Sequence, residues 1–391
     1  MITIEDIREK FKELVYLTDF NIIDTVLGCV VANQMEGDPV SLYVIGPPST
    51  AKTEILRGLQ AYEKSFHLSK ITPATLFSGY LNVPGKKKKG DEKDAEKSLV
   101  VKLTNEGKNV VIIKDFTTVL AMRNEDRTEI ISQLREVADG YYTSVYGSGE
   151  HVRWSGKIAF IAGVTPAIDE YHSVNQVLGE RFLCYRCKNE SQIDIAYKVI
   201  ETSVEMVRMR REIELCVKDF LDQFGNKPDF PITTPEMIHK LVHLGVFVAD
   251  MRTAVIRDRN HHIVTPPMTE GAGRITRQLL YMSYGLAVVR GLIAVDDTTY
   301  SLVKKIARDT VNQWRLEIIR YIHANPMVTT KEISDHMALS EPAIREKLRD
   351  MELIDIVIGH ECEHNKKRWE ITTKFNNIIS ASEVFVYDYL W

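Results

Sequence analysis

The sequence predicts an α/β protein: a doubly wound parallel sheet, then a helical region, then a helix-turn-helix with a two-stranded wing. Three observations carry this expectation. Short apolar runs, SLYVI at 41–45, VVII at 110–113 and KIAFIAGVTP at 157–166, alternate with helical stretches, as buried parallel strands do. From about 190 to 310 the periodicity is helical, interrupted by GNKP at 225–228 and HHIVTPP at 261–267. From 311 onward, short helical patterns lead into the alternating run IVIGHECEHNKKRWEIT. The expected divisions are N-terminal helices over 1–35, an α/β core over 36–188, a helical region over 189–310 and the C-terminal domain over 311–391.

Taken in order, residues 4–16 and 20–35 read as helices, the second with a broad apolar face and Asp19 as its N-cap. Strand 40–45 leads through a glycine-proline loop into a helix over about 52–64. ITPATLFS at 71–78 reads as a second strand and the start of a helix, and NVPGKKKKGDEKDAEK at 82–97 as a mobile charged loop. A helix is expected over 124–138, and a hairpin over 141–156 around Gly147-Ser148-Gly149. In the tail, helices are expected over 311–323, 331–338 and 341–352, with Ser340 as a cap. No repeat of 20–50 residues is visible.

Composition bounds the function. The chain has 391 residues, 44% of them hydrophobic, enough for two or three cores. Fifty Lys and Arg against 54 Asp and Glu leave a charge of -4, so a nucleic-acid surface has to be local. MITIEDIREKFKEL lacks an apolar signal core, and no run of about 18 apolar residues occurs, so a soluble cytoplasmic protein without membrane partners is expected. Five scattered cysteines suit reduced thiols better than a disulfide framework.

GPPSTAKT at 46–53 follows the strand 41–45 and opens a helix. It matches a phosphate-binding loop, G-x-x-x-x-G-K-[ST], except that Ala51 stands in place of the second glycine. Backbone N–H groups of Gly46, Pro47, Pro48, Ser49, Thr50 and Ala51, so far as each has one, would cradle phosphates. Lys52 would reach the β- and γ-phosphates, and the Thr53 hydroxyl would reach Mg²⁺. In helical φ/ψ the Ala51 methyl costs nothing. Nucleotide chemistry also needs an acid at the tip of a neighbouring strand, and Asp115 follows VVII; the alternative is an ordinary surface aspartate. Thr165, at the end of the third run, could sense the γ-phosphate or place a water, or simply form a turn before Pro166. Arginines suited to phosphoryl charge occur in LGERF at 178–182 and GAGRITRQL at 271–279.

The motif order GPPSTAKT, VVIIKDF, GVTP, LGERF and RITRQL resembles the Walker A, Walker B, sensor 1, arginine-finger and sensor 2 elements of an AAA+ ATPase. More narrowly it resembles the minichromosome-maintenance helicases and related phage and plasmid replication ATPases, over about residues 20 to 375. The resemblance implies an AAA+ P-loop sheet with a helical lid and a C-terminal winged helix, ATP and Mg²⁺ as cofactors, and a homo-hexameric ring that moves along or unwinds DNA beside replication proteins. It implies Lys52 and Thr53 as phosphate and Mg²⁺ ligands, Thr165 as sensor 1, Arg181 as a finger to the next subunit, and Arg277 as sensor 2 with Arg274 as its rival. The sequence departs from the pattern twice. The family's large N-terminal DNA-binding domain has no counterpart in the roughly 20 residues before the core, and Asp-Glu of Walker B falls on Lys114-Asp115. Either Asp115 alone orients metal and water, or the strand is shifted by one residue. Remodelling of a protein partner, as in MoxR-type AAA+ proteins, and a DNA-binding switch with blunted hydrolysis are the rival uses.

On the nucleic-acid side, helix 341–352 offers Arg345, Lys347 and Arg349, and the wing offers Lys366, Lys367, Arg368 and Trp369. Glu341, Glu346, Asp350 and Glu352 share that helix, so a protein-binding winged helix is the alternative. Lys86, Lys87, Lys88 and Lys89 form the densest basic cluster, either a solvated loop or, in a ring, a channel-facing insert; Arg153 and His151 flank the hairpin tip. Cys184 and Cys187 have CxxC spacing, and His360, Cys362 and His364 alternate, but neither group has a zinc partner pair at the usual spacing.

Overall fold

The computed structural model describes residues 1–48, 50–77, 98–145, 151–171, 181–258, 260, 262–362 and 366–386. Ser49, Lys86 to Lys89, the hairpin tip at 147–149, residues 178–180 of LGERF, His364 and the Lys366 and His151 side chains lie outside the described residues or side chains. The chain folds as two compact units. Among the described residues no helix is long and apolar enough to cross a membrane.

The first unit is α/β. Helices α1 (Ile4–Leu14) and α2 (Asn21–Ala32) precede β1 (Ser41–Ile45) and α3 (Lys52–Arg57). Then come β2 (Ser65–Leu68), α4 (Pro73–Leu76), α5 (Leu99–Asn105), β3 (Val110–Ile113), α6 (Thr117–Leu120) and α7 (Asn124–Ala138). A hairpin of β4 (Tyr141–Val145) and β5 (His151–Ser155) precedes β6 (Ala159–Val164) and a 3-10 turn, Pro166–Tyr171. β7 (Phe182–Arg186), α8 (Gln192–Thr202) and α9 (Met206–Asp222) follow. Five parallel strands pair in the order β2-β3-β6-β1-β7, with Ile45 opposite both Val164 and Arg186 and Ile113 opposite Ala162. β1, β3 and β6 are buried along their whole length, which is why their sequences are continuous apolar runs.

Four local expectations are corrected. The helix after the phosphate loop ends at Arg57 rather than near 64, because the chain turns there into β2. That strand lies at 65–68, and 71–78 instead holds the short α4, closed by a Thr72–Thr75 capping box. β2 was hidden because SFHL is a half-exposed edge strand without an apolar run. β7, directly after Arg181, was not anticipated. Asp19 precedes the N-cap, Phe20; its Oδ1 accepts from the Asn21 N–H at 3.2 Å and its Oδ2 from the Tyr185 hydroxyl at 2.6 Å.

One face of the sheet carries a core in which Val111, Ile113, Phe160 and Tyr43 meet Leu103, Phe116 and Leu134; Tyr43 stacks on Phe182 with centroids 4.0 Å apart. Where α2 meets the segment after Tyr281, a Cβ at Gly285 would lie 1.9 Å from the Gly28 carbonyl oxygen, so only glycine permits this crossing. Beside it, the fully buried Asp24 accepts from Arg8 Nε at 2.9 Å and Arg290 Nε at 2.8 Å.

The second unit is mainly helical: α10 (Pro235–Arg252), the part of α11 (Gly273–Val289) up to Leu280, then α12 (Asp297–Thr310) and α13 (Gln313–Ala324). β8 (Val328–Thr329), α14 (Thr330–Met337), α15 (Glu341–Leu353), β9 (Val357–Cys362), β10 (Lys366–Ile371) and α16 (Thr373–Ser382) follow. The three strands form an antiparallel sheet in the order β8-β10-β9. The tail thus holds helices near 331–338 and 341–352 and a pair of antiparallel strands after them, with a third short strand, β8, that was not expected.

Candidate functional site

The loop at 46–53 leaves the carboxyl end of the buried central strand β1 and enters α3. Ala51 has φ -58° and ψ -5°, a right-handed conformation that accommodates a methyl group as expected. Lys52 is 8% exposed, and its ammonium donates to the carbonyls of Gly46 at 2.6 Å and Pro47 at 2.5 Å and to Thr50 Oγ1 at 2.9 Å. Burial pushes the Lys52 ammonium below the usual lysine range, opposed by nearby Cys187 and Asp115. The cation is thus held inside its own loop by neutral oxygens, a set a phosphate anion can replace with stronger charge-assisted contacts. A Cβ at Gly46 would lie 3.1 Å from Cys187 Cβ, so the loop runs tight against the residue that follows β7.

The strand tips are tied together. Gly46 N–H donates to Val164 O at 3.1 Å, Cys187 N–H to Ile45 O at 2.8 Å, and Phe116 N–H to Gly163 O at 2.8 Å. A Cβ at Gly163 would lie 2.7 Å from the Lys114 carbonyl oxygen, so this glycine lets the tip of β3 close against β6. Asp115 is exposed at that tip, its Oδ1 accepting from the Thr117 N–H at 2.9 Å. Its strand is not the immediate neighbour of β1: β6 lies between them, which places Thr165 between the phosphate loop and the acid. Thr117, which the sequence reading did not single out, links the two: its hydroxyl donates to Thr165 Oγ1 at 3.3 Å and accepts from the Thr165 N–H at 3.1 Å. Only a hydroxyl residue two places after the acid could have signalled it. Thr53 is exposed in the first turn of α3. Thr hydroxyl and Asp carboxylate are hard oxygen donors of the kind Mg²⁺ takes, so the residue types fit that ion.

Beside the loop a small open pocket is lined by Tyr16, Ile22, Lys52, Tyr185, Glu190 and Ile195. Glu190 accepts from the Thr18 N–H at 2.8 Å and its hydroxyl at 2.9 Å, pinning the link between α1 and α2 to the turn after β7. These wall residues had no motif to mark them.

Arg181 stands at the other edge of the sheet, immediately before β7, in a bidentate pair with Asp139 at 2.8 and 2.9 Å. The structure therefore brings Lys52, Asp115 and Thr165 to the carboxyl edge and keeps Arg181 away from them. Arg274 and Arg277 lie on α11; Arg277 is exposed and Arg274 lies 3.7 Å from Glu270.

In the second unit, the acids of α15 are engaged by its own neighbours. Asp350 Oδ1 accepts from Arg257 Nη2 at 2.5 Å, and Glu352 lies 3.4 Å from Lys367 Nζ. Arg345 and Arg349 remain exposed, Arg345 with Glu341 at 3.7 Å, while Lys347 sits 5.9 Å over the Trp314 ring. Trp369 is corrected from a surface residue to a core one: it is 1% exposed, with Nε1–H donating to Thr330 Oγ1 at 3.0 Å. Arg368 is exposed but donates to Met327 O at 2.8 Å. Arg153 is exposed on β5 opposite Thr143. Cys184 is buried in β7, and the His360 ring bonds Glu370 at 2.8 Å.

No protein-family model matches the chain, and no curated protein matches it.

Proposed function

We propose that the chain is an ATP-hydrolysing P-loop protein of the AAA+ kind, resembling the minichromosome-maintenance helicases, that assembles as a ring and works on DNA. One observation carries the reading: Lys52, Thr165 and Asp115 share the carboxyl edge of the sheet while Arg181 begins β7 at the opposite edge. β7 pairs with β1 from Ser41 opposite Phe182 to Ile45 opposite Arg186, so four residue steps, about 13 Å, separate the two edges. An arginine so placed serves a nucleotide on another copy better than its own.

In this reading the nucleotide's phosphates displace the Gly46 and Pro47 carbonyls from Lys52. Thr165, fixed by Thr117, orients the attacking water, with Asp115 as the group that accepts its proton. Thr53 and Asp115 would hold Mg²⁺, which would supply positive charge against the phosphates. Assembly is supported by α8, whose inner residue Ile195 lines the pocket while Ile193, Tyr197 and Ile200 stand 68%, 71% and 73% exposed. An uncovered apolar stripe of this kind marks a protein contact. The α13–β8–α14–α15–β9–β10 order supports a winged helix, and the uncovered Arg345 and Arg349 support DNA as its partner.

The test is ATP turnover with and without single-stranded and duplex DNA. Stimulation by DNA, abolished in Lys52→Ala, is expected; stimulation by a protein alone would make the chain a remodeller instead. Lys114 in the place of an acid favours a second reading, a nucleotide-dependent switch, which tight ATP binding without turnover would establish. Negative-stain images with ATP should show closed rings.

A further inference from the structure

Two cationic side chains, Arg57 and Lys114, gather around His67, whose ring is held below the usual histidine range by burial and by these charges. His67 lies on β2 opposite Ile112, so it shares a sheet face with Ile112 and with Lys114, two residues on. On that face the tip of β3 meets α3: a Cβ at Gly163 would touch both the Lys114 carbonyl at 2.7 Å and Leu56 Cδ1 at 3.3 Å, and Arg57 follows Leu56. The charges that act on the His67 ring are Lys114, Arg57 and Lys108, all cationic. Lys108 is occupied by the Glu63 and Ser65 carbonyls at 2.9 and 3.1 Å. Arg57 Nε and both His67 ring nitrogens are buried without a hydrogen-bond partner among the described residues. The one backbone acceptor that acts on the His67 ring, the Leu59 carbonyl, is shared with the Ser65 hydroxyl, which donates to it at 2.7 Å. The Arg57 and Lys114 cations beside buried ring and guanidinium nitrogens are unfavourable unless an anion joins them.

We propose that Arg57, His67 and Lys114 form an anion site for a phosphate group, separate from the loop at 46–53. β2 stands three strands from β1, so about 14 Å of sheet separates His67 from the strand that feeds that loop. The β- and γ-phosphates held by Lys52 do not reach that far. Arginine supplies a planar fork, lysine a point charge and histidine a further N–H, the donor set that surrounds phosphate oxygens. The site also gives a role to Lys114, which no Mg²⁺ chemistry explains. The phosphate can be free or part of a nucleic-acid backbone.

The test follows the His67 ring resonances, assigned with His67→Gln, while inorganic phosphate is added to the full-length Lys52→Ala protein. A saturable shift is expected, weakened at least tenfold in Lys52→Ala carrying Arg57→Gln as well. The same titration with a short single-stranded oligonucleotide separates the two sources: saturation at lower concentration than phosphate assigns the site to a strand, and no shift assigns it to the free anion. No response to either ligand, or a phosphate response unchanged by Arg57→Gln, would overturn the proposal. Because Lys52 is already removed, loss of nucleotide binding at the phosphate loop leaves this outcome untouched.

Discussion

Thr117 and Thr165 face each other hydroxyl to hydroxyl, 3.3 Å apart, across the tips of β3 and β6. The same Thr117 oxygen accepts the Thr165 N–H at 3.1 Å, so one side chain fixes both the backbone and the rotamer of the residue nearest the expected reaction. Thr117→Val keeps the shape and removes both bonds. A loss of about 1–1.5 kcal/mol is expected, read as roughly tenfold in kcat of ATP turnover with KM nearly unchanged. A raised KM with normal kcat would mean that the pair shapes binding instead.

Asp24 is fully buried between Arg8 and Arg290, which approach it from 16 and 266 residues away. Asp24→Ala leaves two guanidinium groups without their carboxylate. Removing one partner of a buried pair typically costs about 3–5 kcal/mol. Urea denaturation of the variant should show a loss of that order, and a loss below about 1 kcal/mol would show that water takes over the arginines.

The parts of the fold that could be read from the residues are those where burial is uniform. β1, β3 and β6 are covered on both faces, so SLYVI, VVII and AFIAGV needed no context. β2 was not legible, since an edge strand needs no apolar run and its Ser65 is used locally, donating to the Leu59 and Tyr62 carbonyls. At the site, Lys52 and Asp115 followed from motif and strand end. Thr117 and the Tyr16–Tyr185 pocket wall depend on strand order and long-range contacts, which no local pattern encodes. Trp369 misled because Arg368 beside it faces solvent, while the Trp369 ring, on the opposite face of β10 with Lys367 over it, belongs to the core.

The exposed face of α8 yields a test of assembly. Tyr197→Asp and Ile200→Asp place charge on side chains that are 71% and 73% exposed, so the isolated fold should change by less than about 0.5 kcal/mol. If a second copy covers the stripe, sedimentation should show at least tenfold weaker assembly. Unchanged assembly would move the interface elsewhere.

Lys157 sets a pH dependence. Its ammonium donates to Met35 O at 2.6 Å, and burial pushes its pKa down to about 8, against the pull of Asp38 and Cys29. Between about 8 and the ordinary lysine value near 10.4, the unfolded chain holds a proton that the folded one has released, so stability rises with pH through that window. Below it, both states are protonated and the burial cost is fully present. Relative to Lys157→Met, the native protein should gain up to about 3 kcal/mol between pH 7.5 and 10.5. A difference flat with pH would show a solvated ammonium.

The basic residues of the second unit divide by what already holds them. Lys367 lies 3.4 Å from Glu352 and 5.3 Å over the Trp369 ring, and Arg368 donates to Met327 O, so each must break a contact before meeting a phosphate. Arg345 and Arg349 stand four residues apart on α15, exposed on the same side, while Ile344, Leu348 and Met351 face inward. If DNA is the partner, Arg345→Ala and Arg349→Ala should each lower affinity across sequences and reduce the slope of log K against log salt by about 0.9. Lys367→Ala and Arg368→Ala should move that slope by less than half as much. A reversed order, with the β10 pair dominating, would place the contact on the wing rather than on α15, and unchanged binding in all four would leave this surface to a protein partner.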